Sequence, residues 1–357
     1  MKTVLLLLFL ALALIACGGS PSSVATPAGP TPTRAAAALL TPTAPVEPIR
    51  FPQDEAPHDM LTEWWYYTGH MFTPDGTRYG FEFVVFLANR AGFPSAYVAH
   101  FAITDGSRNT FVYDQRVALA PPGSTAAGFA LVVDDWAMGG RDGSDYLRAS
   151  MRDYAIDLQL QAQKPPVLHG GSGYLSLGEL GGSYYYSRTR MDLSGVFTVA
   201  GQQVEVSGEA WMDHQWGNFI PVGEGGWDWF SLQLNDGSDV MVYFIRDSSQ
   251  NVVASYGTVI DPQGVPTELD ADDFTLTATG TWTSPHSGIT YPLGWTLDIP
   301  SRGWRLALTP TMEDQELDTR ATTGVIYWEG EITIAGMSGR DPIGGYGYVE
   351  LTGYPAP

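Results

Sequence analysis

The segment Trp211-Met212-Asp213-His214-Gln215-Trp216-Gly217, followed by Gly226-Trp227-Asp228-Trp229-Phe230, concentrates side chains that can do chemistry. Two carboxylates, one imidazole and four indoles fall within it. Indoles are large and usually buried, so this density implies a built cavity or a tightly packed junction. An acid and an imidazole set in an aromatic wall are the usual make-up of a ligand pocket with acid–base chemistry. His214, Asp228 and Asp213 are the candidate catalytic groups. A second reading stays open. On an extended strand Trp211, Asp213 and Gln215 face one way, and Met212, His214 and Trp216 the other. A buried His–carboxylate pair locking a junction would read the same.

Other polar groups carry weaker signals. Glu63 precedes Trp64-Trp65, and reads as a buried carboxylate receiving Arg188 or Arg190, or as an acid at a barrel mouth. Glu82 lies between Phe81 and Phe83, so it faces solvent if those rings are core, or a lumen if the barrel is hollow. His70 and His100 read as ordinary strand histidines, and Tyr184-Tyr185-Tyr186 as barrel wall. Asp314, Glu316 and Glu329 are acids of the kind that cleave glycosides, but their spacing carries no geometry. There is no His-Glu-x-x-His helix, no phosphate-binding glycine loop before a helix and no Gly-x-Ser-x-Gly elbow. Six scattered histidines make no metal signature.

The elements that must position these groups are strands. Tyr79–Phe86, Val204–Trp211 and Val240–Ile245 are short runs of strand formers, broken by turn residues. Asp75-Gly76 and Asp236-Gly237 are hairpin signals between such runs. The chain also echoes itself: Trp64-Trp65-Tyr66-Tyr67, a strand, Asp75-Gly76 and another strand parallel Trp227-Asp228-Trp229-Phe230, a strand, Asp236-Gly237 and another strand. A similar echo joins residues 195–211 to residues 330–351. The expected fold is all-β, two tandem barrels, one over 51–217 and one over 218–357.

The N-terminus reads as a targeting segment. Lys2 is followed by an apolar run from Val4 to Ile15, and Leu14-Ile15-Ala16-Cys17 reads as a lipobox ending a signal peptide over 1–17. Cys17 is the only cysteine, so no disulfide or cysteine metal site is available. Residues 18–50, rich in Pro, Thr and Ala, read as a disordered tether. The expectation is an extracytoplasmic lipoprotein held to a membrane through lipidated Cys17. The formal net charge of −21 repels nucleic acid and anionic headgroups.

Taken together, several segments resemble the AttH/CrtC family, a lipocalin-like group that includes carotenoid 1,2-hydratases. They are Glu63-Trp64-Trp65-Tyr66-Tyr67-Thr68-Gly69-His70, Tyr79-Gly80-Phe81-Glu82, Tyr185–Met191, Gly208–Gly217 and Gly226–Phe230, then Asp314–Leu317, Tyr327–Gly330 and Gly347–Tyr354. The resemblance covers nearly everything after about Pro52 and implies two calycin barrels. It also implies hydration of a C=C bond: a proton donor makes a carbocation, aromatic faces stabilise it, and water adds, with no metal or organic cofactor. In that family's Asp-His-x-Trp-Gly motif, His214 and Trp216 match directly, while Asp228 is a candidate for a downstream acid that does not align unambiguously.

The resulting expectation is a monomer binding a hydrophobic isoprenoid or acyl-chain molecule. His214, Trp216 and Asp228 should line one cavity with one or more of Trp64, Trp65 and Tyr66, and Trp227 and Trp229 are further candidate ligand-binding residues. A non-enzymatic carrier, or a secreted hydrolase acting on glycans or lipids, are the alternatives.

Overall fold

The computed structural model describes residues 46–89, 92–120, 127–176, 182–218 and 225–357. The proposed signal peptide, Cys17 and most of the tether lie outside the described residues. The described chain is built of strands in two antiparallel sheets. The first holds β1 (Thr62–Phe72), β2 (Arg78–Ala88), β3 (Ala96–Asp105), β4 (Thr110–Leu119), β5 (Phe129–Val133), β6 (Trp136–Arg141), β7 (Ser144–Met151), β8 (Tyr154–Ala162), β9 (Val167–Leu168), β10 (Tyr174–Ser176), β11 (Gly182–Val199) and β12 (Gln202–Gly217). The second holds β13 (Gly225–Leu234), β14 (Asp239–Asp247), β15 (Val252–Ile260), β16 (Pro266–Leu269), β17 (Thr275–Thr283), β18 (Thr290–Ile299), β19 (Trp304–Pro310), β20 (Glu316–Asp318), β21 (Ile326–Ser338) and β22 (Asp341–Thr352).

Strand order is the same in both halves. The first sheet runs β4-β3-β2-β1-β12-β11-β8-β7-β6-β5, and the second runs β16-β15-β14-β13-β22-β21-β19-β18-β17. In each, the first strand pairs with the last. The first sheet curls into a nearly closed barrel and the second into a half-barrel, as the all-β reading of the sequence expects.

Burial shows which strands meet the other sheet. β7 and β8 alternate buried and exposed, the pattern of a sheet with one wet face. β1 to β3 are buried almost continuously. One face of them lines the first barrel and the other meets the second sheet. Three cores result. Trp65, Tyr67, Phe83, Phe101, Met212 and Trp216 belong to the first barrel. Phe230, Tyr291, Trp295 and Trp328 belong to the second. Between the sheets lie Tyr66, Val84, Tyr185, Trp211, Trp229, Met241 and Tyr348.

The sheets are tied by charge and by close approach. Lys164 Nζ lies 2.6 Å from Asp239 Oδ2, and Arg190 lies 2.8 Å from Asp239 Oδ1, all three largely buried. Arg78 and His70 reach Glu331 at 3.0 and 2.8 Å. Gly80 of β2 sits against β21 and β22: a Cβ there would overlap the Tyr348 hydroxyl and lie 3.0 Å from the Glu331 Cβ.

Candidate active site

Alternation along β1, β12 and β13 distributes the sequence candidates over three places. Trp65 pairs with His214 in register and Tyr66 with Asp213. Trp65, His214 and Trp216 therefore point into the first barrel, and Trp64, Tyr66 and Asp213 point at the second sheet. Trp227 and Trp229 meet them there: the Trp229 ring lies 5.3 Å from Tyr66 and 6.1 Å from Trp211, edge-on to both.

Asp228 faces the opposite way, into the second barrel. Arg246 Nη2 holds it at 3.0 Å, and the Tyr354 hydroxyl at 3.0 and 3.1 Å. The expectation that His214, Trp216 and Asp228 line one cavity is thus corrected. β13 pairs with β14 and β22 and never with β12, so the connection after Gly217 carries the chain into the other sheet instead of laying β13 alongside.

His214 has a different partner from the one expected. Its Nε2 lies 2.7 Å from Glu63 Oε1, and His58 Nδ1 lies 2.8 Å from the same oxygen. Glu63 is buried, as read from sequence, but it does not receive an arginine: Arg188 pairs with Glu55, and Arg190 with Asp239 and Glu209. Burial alone would raise the Glu63 pKa, but hydrogen bonds from His214 and His58 outweigh it and hold the carboxyl below its ordinary value. Burial pushes the His214 imidazole down to about 4, against the pull of Glu63.

Between the sheets, Asp213 is the hub of a polar network. It accepts hydrogen bonds from Tyr185 Oη at 2.6 Å, Trp211 Nε1 at 2.7 Å and the Ser187 hydroxyl. Burial lifts its pKa to about 6 in spite of those donors. Next to this network lie three acids that the sequence candidates omit as a group: Glu82 on β2, Glu329 on β21 and Glu350 on β22. Glu329 and Glu350 stand directly opposite each other in the ladder. Like charges so placed destabilise a sheet.

The contacts of these acids are neutral. The Tyr66 hydroxyl donates to Glu329 Oε1 at 2.7 Å, the Tyr327 hydroxyl to Glu82 Oε1 at 3.3 Å, and Trp227 Nε1 to Glu350 Oε2 at 2.7 Å. No ion pair to any of the three is found among the described residues. The second oxygens of Glu82 and Glu329 are buried with no partner among the described residues. Burial, and then the charge of Glu350, pushes Glu82 up to about 8. Burial pushes Glu350 up to about 7, and Glu329 rises well above its ordinary value from burial and both neighbouring acids. At neutral pH this cluster holds protons. It can donate them to a ligand and, once one group is ionised, take one back.

Trp64, Phe86, Trp227 and Tyr243, partly buried, flank the core between the sheets. His100 faces the same side, with Nδ1 2.9 Å from the Tyr327 hydroxyl; burial pushes its pKa to about 3, so it is neutral.

An AttH-like family model matches residues 42–354. The chain belongs to the AttH-like family. The crystal structure of an AttH protein from Nitrosomonas europaea is 32% identical, with a TM-score of 0.78, and the match covers 88% of this chain and 100% of that one. Kievitone hydratase from Nectria haematococca shares the fold at 21% identity, with a TM-score of 0.66 over 82% of this chain and 89% of its own. A curated relative, the dehydratase asqC of Emericella nidulans, is 24% identical over 216 residues. That match takes in 57% of this chain and 60% of the relative's length.

Of the AttH-like residues singled out in the sequence, the structure gathers Trp64, Tyr66, Asp213, Trp227 and Trp229 on one side. It places Trp65, His214 and Trp216 on another, and sets Asp228 apart. Asp314, Glu316 and Glu329 do not assemble: Asp314 pairs with His286 at 2.8 Å on the surface, and Glu316 takes hydroxyls from Ser284, Ser287 and Tyr291. Glu82, Glu329 and Glu350 did carry one local signal. Each is an acid inside a strand whose immediate neighbours are apolar or glycine (Phe81 and Phe83, Trp328 and Gly330, Val349 and Leu351), so the opposite face of the pleat reads as core.

Proposed function

We propose that the space between the sheets binds an apolar, unsaturated small molecule and adds water to, or removes it from, a carbon–carbon bond by acid catalysis. The observation that carries this reading is the trio Glu82, Glu329 and Glu350, three buried carboxyls in one aromatic-walled place with no ion pair to any of them among the described residues. In the hydration direction the O–H of one carboxylic acid protonates an alkene carbon. The C=C π pair forms the new C–H bond, and the cation left on the other carbon faces Trp64, Trp227 or Trp229. Such a contact is worth roughly 0.5–2 kcal/mol. Water adds to the cation and its proton passes to a carboxylate of the trio. Dehydration is the same path reversed, with the acid protonating the leaving hydroxyl. A hydratase and a dehydratase among the chain's similar proteins support a hydro-lyase reading. The apolar, aromatic walls support a hydrophobic ligand of the isoprenoid or acyl-chain type.

The test starts from the apolar compound that copurifies with the tagless protein, identified by mass spectrometry and then incubated in 18O-labelled water. Wild type should incorporate label, and Glu329→Gln and Glu82→Gln should each lower the rate about 100-fold or more, the scale of a lost general acid. Equal incorporation by wild type and both variants would sink the proposal. A carrier is the second reading, favoured by how completely Glu82 and Glu329 are enclosed, at 1% and 0% exposure. It requires ligand retention with no incorporation in wild type.

We also propose that Cys17 is lipidated and that the protein is a membrane-anchored, extracytoplasmic monomer. Cys17→Ser should move it from the membrane to the soluble fraction; retention after a high-salt wash is the contrary result.

A further inference from the structure

His58, Glu63 and His214 come together at one end of the first barrel from three separate pieces of chain. His58 lies on the segment between the 3-10 turn Gln53–Glu55 and β1, Glu63 near the start of β1, and His214 near the end of β12. Their candidate donor atoms all lie within 4.8 Å of one another. We propose that these three side chains bind a divalent transition-metal ion of the zinc type.

Two imidazoles and one carboxylate, with one position left for water, are an established zinc donor set. The ring planes are fixed by stacking: His58 lies on Trp216 with centroids 4.1 Å apart and planes 3° from parallel, and His214 on Trp65 at 4.5 Å and 22°. The far nitrogen of each imidazole also has a partner. His58 Nε2 lies 3.6 Å from Asp54 Oδ1, and His214 Nδ1 lies 3.3 Å from the Tyr186 hydroxyl. Metal-bound histidines are typically oriented by such a contact on the far nitrogen. With an ion bound, the N–H of each ring moves to that far nitrogen, and the lone pair facing Glu63 becomes the ligand.

The site needs a small expansion. Tetrahedral ligands at about 2.0–2.1 Å from zinc stand about 3.3 Å apart. The nitrogen-to-Oε1 distances here are 2.7 and 2.8 Å. Roughly half an ångström of outward movement by His58 opens its own distance to Glu63, and a similar shift between the Glu63 carboxylate and His214 opens the other. Its side chain is 19% exposed and sits outside the barrel strands, whereas Glu63 and His214 are fully buried. That same exposure gives the ion and its water ligand a way in. An occupied site would pin the segment around residues 50–60 across the barrel end. It stands on the far face of β1 from Glu82, Glu329 and Glu350, so it is independent of the proposed chemistry there.

The test is calorimetric titration of the EDTA-treated, tagless protein with zinc chloride, alongside cobalt(II) titration followed by visible absorption. One saturable ion per chain and a tetrahedral cobalt spectrum are expected. His58→Ala should weaken binding about 100-fold or more, Glu63→Gln should act likewise, and Asp54→Asn should cost about tenfold, the low end for an outer partner. His286→Ala, which alters an exposed His–Asp pair elsewhere, should change nothing. Near-ultraviolet circular dichroism of the tryptophans checks each variant's fold. His58 is the decisive position, because its truncation leaves the barrel core intact. Absence of saturable binding in wild type, or an unchanged affinity in folded His58→Ala, overturns the proposal.

Discussion

Replacing Glu82 by Gln should make the protein more stable at alkaline pH and leave it unchanged at acid pH. Glu82 is 1% exposed, and its carboxyl keeps its proton up to about pH 8. In the unfolded chain it titrates near 4.3. Between those values the folded state binds a proton that the unfolded state has lost, so stability falls as pH rises. Each pH unit in that window costs about 1.4 kcal/mol, so Glu82 taken alone removes at most about 4 kcal/mol between pH 5 and pH 8. Glu350, pushed to about 7, adds to the decline over the same range. The glutamine variant keeps the shape and the Tyr327 contact without the titration. Urea unfolding at pH 5, 6, 7, 8 and 9 measures the effect. Glu82→Gln should gain on wild type steadily up to about pH 8, with the two curves meeting near pH 5; His100 and His214, neutral when buried, add the same rise with pH to both curves. Parallel curves for the two proteins from pH 5 to 8 would refute the buried neutral carboxyl.

Other expectations follow from the ties between the sheets. Asp239→Ala leaves Lys164 and Arg190 without their shared buried partner and should cost about 3–5 kcal/mol, read as a fall in urea midpoint. Gly80→Val drives a side chain into Tyr348 and Glu331 and should cost about 1–3 kcal/mol, with tryptophan fluorescence reporting solvent entry between the sheets. Tyr66→Phe removes the donor to Glu329 Oε1, leaves that buried acid unpaired and should cost about 1–3 kcal/mol in thermal or urea unfolding. An Asp239→Ala midpoint equal to wild type would show that the Lys164–Arg190 tie carries no load.

The strands were legible in the sequence because alternation and turn residues are local. So was the division of Asp213 from His214, which follows from the pleat alone. The grouping of Asp228 with His214 failed because it assumed that β12 and β13 are neighbours. A short glycine-rich connection is equally able to join two sheets. Glu63 was legible as buried, but not its partners, since His58 approaches from an irregular segment with no period to read. Glu82, Glu329 and Glu350 come from strands far apart in the chain. Their meeting depends on how one sheet docks on another, which no local pattern encodes.

Pairing the first strand of each sheet with its last has a consequence for assembly. β1 cannot be sealed until β12 exists, nor β13 until β22, and contacts between distant segments form slowly. The outward face of β1 to β3 is covered only when the second sheet docks on the first. In the unfolded chain Glu82 is wet and ionised at neutral pH. Closing the second sheet over it strips its water and returns its proton. Burial of Glu82 therefore makes a proton-uptake contribution to folding, opposite in sign to that of His100 and His214, which are neutral when buried.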